Sequence, residues 1–259
     1  MTTMNLFDLS GQTAIITGGG RGLGEWMAEA LTDAGANVVL CSRKKEACID
    51  VRDRINENGG NAIAFRCDVT DENEVQQVVD ATMEHFGTID ILVNNSGTSW
   101  GGYNPEDMPV DKFKKVVNVN LVGTFIMSQA VGKKMIENGT KGRIINIASV
   151  AGLKGSNPEV MQAIGYNSSK GGVLTFTKDL AINWARHGIT VNAVAPGFIP
   201  TKMSQDVIAP IKDQMIANVP LQRLGEADDM RGTIVYMASQ AAAFMTGQTI
   251  VLDGGVTAG

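Results

Sequence analysis

Thr13-Ala14-Ile15-Ile16-Thr17-Gly18-Gly19-Gly20-Arg21-Gly22-Leu23-Gly24 is the stretch on which the reading of this chain turns. Its first half is short, apolar and β-branched, the composition of a strand buried on both faces. Its second half is a glycine cluster, and a helical pattern follows from Glu25 to Ala34. Strand, glycine turn, helix is the context in which a glycine cluster holds a nucleotide. Glycines admit positive φ and close backbone approach. A pyrophosphate can then rest on the exposed N–H groups and positive end of the helix. The spacing is Gly18-x-x-x-Gly22-x-Gly24, a variant of the more familiar G-x-G-x-x-G.

Outward from this turn the same unit repeats. Strands are expected at Val38–Ser42, Ala62–Cys67, Ile89–Val93, Ile144–Ala148, Ile189–Ala195 and Gln248–Leu252. Helices are expected at Lys44–Asn58, Asp71–Phe86, Phe113–Glu137, Tyr166 to about His187, within 198–218, and at 226–240. Alternation of this length implies parallel strands joined by right-handed crossovers. Ligands in such sheets lie beyond the carboxyl ends of the strands, where Gly18, Arg43, Asp68, Asn94 and Ser149 all fall. Asn118 and Asn120 inside one helical run are poor helix formers and suggest a local kink or a polar role.

The tip after the second strand is where such a fold reads the adenosine ribose. An acid there accepts from a free 2′-hydroxyl, and an arginine accommodates a 2′-phosphate. Here the tip is Ser42-Arg43-Lys44, with no acid, and Arg21 supplies a second cation. NADP(H) is therefore expected over NAD(H), with NAD(H) the alternative.

Further along, Tyr166 and Lys170 are spaced Tyr-x-x-x-Lys at the start of a helix, so both heads share one face. A neighbouring ammonium favours the phenolate and is expected to lower the tyrosine pKa into a useful range for acid/base work.

Composition narrows the remaining classes. The 259 residues are 44% hydrophobic and 19% charged, material for one large α/β domain spanning 1–259. A net charge of −5 argues against nucleic acid as a partner. The opening residues lack a basic, then apolar leader, and no run reaches ~18 apolar residues. Cys41, Cys48 and Cys67 have no CxxC spacing, and His85 and His187 are the only histidines. A cytoplasmic protein without membrane contact, disulfide framework or metal is expected.

Taken together, Thr17-Gly18-x-x-x-Gly22-x-Gly24, Asp68-Val69, Asn94-Asn95-Ser96-Gly97, Asn120, Ser149, Tyr166-x-x-x-Lys170, Asn192 and Pro196-Gly197 resemble the short-chain dehydrogenase/reductase family, in its short single-domain branch. The resemblance runs from about residue 7 to 255. It implies a Rossmann-like, doubly wound, seven-stranded parallel sheet of order 3-2-1-4-5-6-7 with helices on both faces, and commonly a homotetramer. It implies hydride transfer between a nicotinamide and a carbonyl or secondary alcohol.

By the same carry-over Tyr166 is the acid/base, Lys170 tunes it and bonds the nicotinamide ribose, and Ser149 polarises the substrate oxygen. Asn120 holds a water linking Lys170 to solvent. Gly18, Gly20, Arg21, Gly22, Leu23 and Gly24 form the pyrophosphate turn, while Ser42, Arg43, Lys44, Asp68 and Val69 surround the adenosine. Asn94 contacts the nucleotide, with Asn95, Ser96 and Gly97 beside it. Pro196, Gly197, Ile199 and Thr201 hold the nicotinamide end.

Two departures stand out. Ser96 replaces the family's usual alanine, and Tyr166 stands 17 positions after Ser149, several more than is usual. The added length, Leu153–Gln162, is expected to bulge beside the substrate. Trp100, Met161, Phe198 and Met203 are candidate pocket walls, and the substrate segment is placed at about 198–218. Few charges there suggest a neutral, partly apolar ketone or alcohol. A 3-oxoacyl thioester reductase, a sugar or polyol dehydrogenase and a xenobiotic ketone reductase all remain open. So do a non-catalytic nucleotide-binding regulator and an epimerase or dehydratase.

Overall fold

A computed structural model describes residues 2–99, 101–156, 162–201 and 212–258. Its centre is one parallel sheet of seven strands: β1 Thr13–Thr17, β2 Asn37–Ser42, β3 Ala62–Arg66, β4 Ile91–Asn94, β5 Arg143–Ile147, β6 Thr190–Pro196 and β7 Thr249–Leu252. Their order is β3-β2-β1-β4-β5-β6-β7, as the sequence resemblance implied. The order reverses between β1 and β4, the switch point at which such sheets open a crevice for ligands.

Alternation along the strands feeds two cores. In β1, Ala14 and Ile16 face one layer and Ile15 the other. The first layer is covered by α1 (Gly22–Asp33), α2 (Lys45–Glu57) and α8 (Ala227–Ala238), through Met27, Leu31, Val51, Ile55, Met230 and Ile234. The second is covered by α3 (Glu72–Phe86), α5 (Gly123–Glu137) and α6 (Ile164–Trp184), through Val75, Val78, Val79, Met127, Val131 and Ala181. Among the described residues the remaining α-helices are α4 (Val110–Val117) and the short α7 (Lys212–Ala217). Observed bounds mostly lie within about three residues of those expected, and two differences are informative.

Strand β4 begins at Ile91 rather than Ile89, because Asp90 is used as a brace. Its carboxylate accepts from the Thr13 amide at 2.9 Å and from the Thr88 hydroxyl. The helix expected as one run over 113–137 is two, α4 and α5, joined by a π-helical turn at Asn118–Val122. Its wider loop closes with the Gly123 amide on the Asn118 carbonyl. The paired asparagines marked this place correctly. Among the described residues no helix is long and apolar enough to cross a membrane.

Candidate active site

The glycine turn works by geometry that side chains would block. Gly18 and Gly22 have φ of 67° and 56°, in the left-handed region. A Cβ on Gly24 would stand 2.2 Å from the Gly18 carbonyl, so α1 closes directly on the end of β1. Gly20 similarly faces the α2 backbone at Ala47. Arg21, exposed, is the N-cap of α1, and no side chain caps the first amides. The helix therefore presents uncapped N–H groups on an open glycine cradle, the arrangement that suits a pyrophosphate. Leu23 turns its side chain into the core, leaving only its backbone on this surface.

Thr17, the last residue of β1, latches the next strand end to this turn. Its hydroxyl receives the amides of Asn95 at 3.0 Å and Ser96 at 2.9 Å. Asn95 returns the contact, its Nδ2 donating to the carbonyls of Thr17 and Gly18 at 3.0 and 3.2 Å. Asn94 is a correction to the sequence reading. Its side chain points into the layer beneath α5, where Nδ2 donates to Ser128 Oγ and Asn146 Oδ1, each at 2.9 Å. Strand alternation is the reason, since Asn94 shares the face of buried Leu92.

At the end of β2 the Ser42 hydroxyl donates to the Lys44 carbonyl at 2.8 Å and fixes the tip. Arg43 and Lys44 are exposed there with no acid on the tip itself. Asp68 follows β3. Burial pushes its carboxyl up, but the Thr70 amide and hydroxyl, Arg43 and Arg66 together hold it below its ordinary value. The neighbouring Val69 side chain is buried against Gly123, leaving its backbone as the available part. Cys41, Cys48 and Cys67 are free and buried below this tip.

Four polar residues meet beyond β4 and β5. Ser149 stands two residues after β5 and caps a short 3-10 turn, accepting from the Ala151 amide at 3.1 Å. Its hydroxyl lies close enough to the Tyr166 phenol to favour the phenolate. Lys170 lies one helical turn after Tyr166 and is buried. Its Nζ donates to the Ile147 carbonyl at 2.6 Å and stands 5.7 Å from the Tyr166 ring centre. Asn120 sits in the π-helical turn. Its Oδ1 accepts from the Thr98 amide at 2.7 Å, and Nδ2 donates to the Thr98 carbonyl and Ser169 Oγ, both at 2.9 Å. A Cβ on Gly97 would stand 3.4 Å from Asn120 Oδ1 and 3.7 Å from Lys170 Nζ, so both atoms border the same space.

The electrostatics correct one expectation. Burial raises the Tyr166 phenol above its ordinary value, and the Ser149 hydroxyl, rather than Lys170, is what draws it back. The ammonium is turned toward the Ile147 carbonyl, and burial lowers its own pKa to about 8.

Pro196 ends β6, and the Gly197 amide donates to the Leu252 carbonyl at 2.9 Å. Ile199 packs on Gly225, and Thr201 lies against Gly22, so the strand that leaves β6 returns to the glycine turn. Phe198 is 41% exposed. Trp100, Met161, Met203 and residues 202–211 of the segment expected at 198–218 lie outside the described residues.

Sequence reasoning gave Ser169 no role and did not foresee the clamps made by Thr17 and Thr98. Ser169 bonds both Asn120 and the Tyr166 carbonyl. Nothing in Asn167-Ser168-Ser169 distinguishes the buried serine from the exposed one until the helix face is known.

Residues 18–257 match the family model described as enoyl-(acyl carrier protein) reductase. The chain is 39% identical to a 3-oxoacyl-[acyl-carrier-protein] reductase of Synechocystis, over 96% of this chain and 98% of the relative. It is 34% identical to glucose 1-dehydrogenase 2 of Bacillus subtilis, over 96% of each. The crystal structure of a gluconate 5-dehydrogenase from Burkholderia cenocepacia, in complex with NADP and tartrate, superposes with a TM-score of 0.93 at 34% identity, covering all of both chains.

Proposed function

We propose that this chain, which belongs to the short-chain dehydrogenase/reductase family and is an oxidoreductase of CH–OH and C=O groups, uses NADP(H) and works in the direction of ketone reduction. The observation that carries the reading is the meeting of Ser149, Tyr166, Lys170 and Asn120 at one edge of the sheet, beside an uncapped glycine turn. The cation-rich, acid-free tip at Arg43 and Lys44 supports the 2′-phosphate preference. In this reading residues 1–259 form one domain that carries its own substrate segment, acts in the cytoplasm and assembles as four copies.

The cradle of Gly18, Gly22 and Gly24 would hold the pyrophosphate, Arg21 and Arg43 the 2′-phosphate, and Asp68 with the Val69 backbone the adenine. Pro196, Gly197, Ile199 and Thr201 would hold the nicotinamide end. When bound, the nicotinamide supplies the hydride that adds to the carbonyl carbon, or accepts it from the alcohol carbon in reverse. The protein handles the proton. Ser149 holds the substrate oxygen by a hydrogen bond, and Tyr166 gives that oxygen its phenolic proton as negative charge develops on it. A phenol with a raised pKa rests protonated at neutral pH, the state a reductive acid needs.

Lys170, half neutral near pH 8, is placed to return a proton toward Tyr166. One water beside Gly97 would touch both Lys170 and Asn120 and connect them to solvent. Asn120 meanwhile clamps the Thr98 backbone on that side of the site.

The test is consumption of NADPH, and separately of NADH, against β-ketoacyl thioesters, sugar and sugar-acid ketones, and aryl ketones. Turnover with NADPH is expected in one class. Tyr166→Phe should lower kcat by about 10²–10⁴-fold with NADPH affinity nearly unchanged. Undiminished turnover in that variant would remove Tyr166 from the mechanism. NADPH binding without turnover on any compound would favour a nucleotide-binding regulator.

A further inference from the structure

The residues that close the chain draw together two stretches that leave the site in opposite directions. Asp253, just after β7, is the centre of the knot. Its Oδ1 accepts from the Gly255 amide at 2.9 Å, and its Oδ2 accepts from the Thr257 amide at 2.8 Å and hydroxyl at 2.7 Å. Burial pushes the carboxyl up, yet these three donors and nearby Lys154 hold it below its ordinary value. Gly254 and Gly255 carry φ of 64° and 96°, so the turn needs glycine at both.

One stretch begins at the active site. The turn Val150–Gly152 follows Ser149 and rests on α6, a Cβ on Gly152 falling 2.6 Å from the Lys170 carbonyl carbon. Beyond it Lys154 Nζ donates to the Val256 carbonyl at 3.0 Å, and Ser156 Oγ accepts from Asn167 Nδ2 at 2.8 Å. The other stretch leaves β6 and returns after α7. Gly197 packs on Asp253, the Gly225 amide donates to the Phe198 carbonyl at 3.0 Å, and the Leu221 amide donates to the Gly254 carbonyl at 3.1 Å. Val219 and Pro220 pack on the two turn glycines.

We infer that the Asp253 turn is a spacer between these two walls, with Lys154 and Asp253 as positioning residues that set which carbonyl compound fits without touching it. The inference rests on the reading of the site as a carbonyl-reducing one. Both walls are hydrogen-bonded to the same turn, Asp253–Thr257, and Lys154, in the described first part of the long segment after Ser149, is the bond that reaches it. A change in one wall is thereby transmitted to the other.

Amide hydrogen exchange on the protein without substrate reads this directly. In Lys154→Met, exchange at Leu221, on the opposite wall, should quicken by about fivefold, the loss of roughly one hydrogen bond's worth of ordering. Lys154→Arg should restore it. NADPH affinity should stay within about twofold, since no cofactor-site residue is altered. With the compound found in the turnover panel, Lys154→Met should raise KM severalfold at nearly constant kcat. Asp253→Asn should quicken exchange on both walls.

Quickened exchange confined to residues near Lys154, or a kcat loss without a KM change, would overturn the inference. Failure of the panel itself would leave the exchange result standing and bear only on the proposed reaction.

Discussion

Arg43 shows how much a single residue decides. It is exposed at the tip of β2 and helps to lower the pKa of Asp68. A planar guanidinium there would pair with a 2′-phosphate in a charge-assisted bond worth ~1.5–3 kcal/mol. Arg43→Ala should therefore lower the ratio of kcat/KM for NADPH over NADH by about 10–100-fold, read from paired steady-state assays. An unchanged ratio would remove Arg43 from the preference. At this scale the sequence was most legible where chemistry depends on residue type. Arg43, Ser149, Tyr166 and Lys170 could each be named from the chain. Where a side chain points was not legible, so Asn94 was assigned outward and is in fact spent on Ser128 and Asn146.

At the scale of elements, the glycine turn and the π-helical turn are the two places where regular structure is broken to make the site. Gly22 has φ of 56°, and a Cβ there would stand 3.0 Å from Thr201 Cγ2. Gly22→Ala should cost ~1–2 kcal/mol through the left-handed backbone alone. The expected outcome is a lowered melting temperature, NADPH affinity reduced by tenfold or more, and an unchanged far-ultraviolet spectrum. Full NADPH affinity in this variant would mean that the turn does not hold the pyrophosphate. The π-helical turn was half legible. Two asparagines in one helical run announced a break, but its form depends on Asn120 finding Thr98 and Ser169, neither of them near it in sequence.

For the whole molecule, burying Lys170 is a cost that pH can remove. Its pKa is about 8 in the folded protein, against roughly 10.4 when unfolded. Below pH 8 the lysine is protonated in both states and the full penalty, on the order of 3 kcal/mol, is present. Between about pH 8 and 10.4 the unfolded chain binds the extra proton, so stability attributable to this residue rises with pH. Urea unfolding of the wild type and Lys170→Met should differ by a constant amount up to pH 8. The wild type should then gain on the variant at pH 9 and 10. Parallel curves throughout would show that Lys170 carries no such penalty.

The sequence by itself determined the parallel sheet, its glycine turn and the types of the polar residues that meet beyond β4 and β5. Apolar strands, glycine spacing and residue chemistry are local properties, written within ten or so positions of one another. Only the tertiary structure decided which of two adjacent asparagines faces the core and which serine supports Asn120. It alone showed that Ser149, not Lys170, draws the Tyr166 phenol down, and that a carboxy-terminal turn joins two walls beside the site. Each of these depends on groups from distant segments meeting at hydrogen-bond range, with burial setting their charge, and neither distance nor burial is encoded at any one position of the chain.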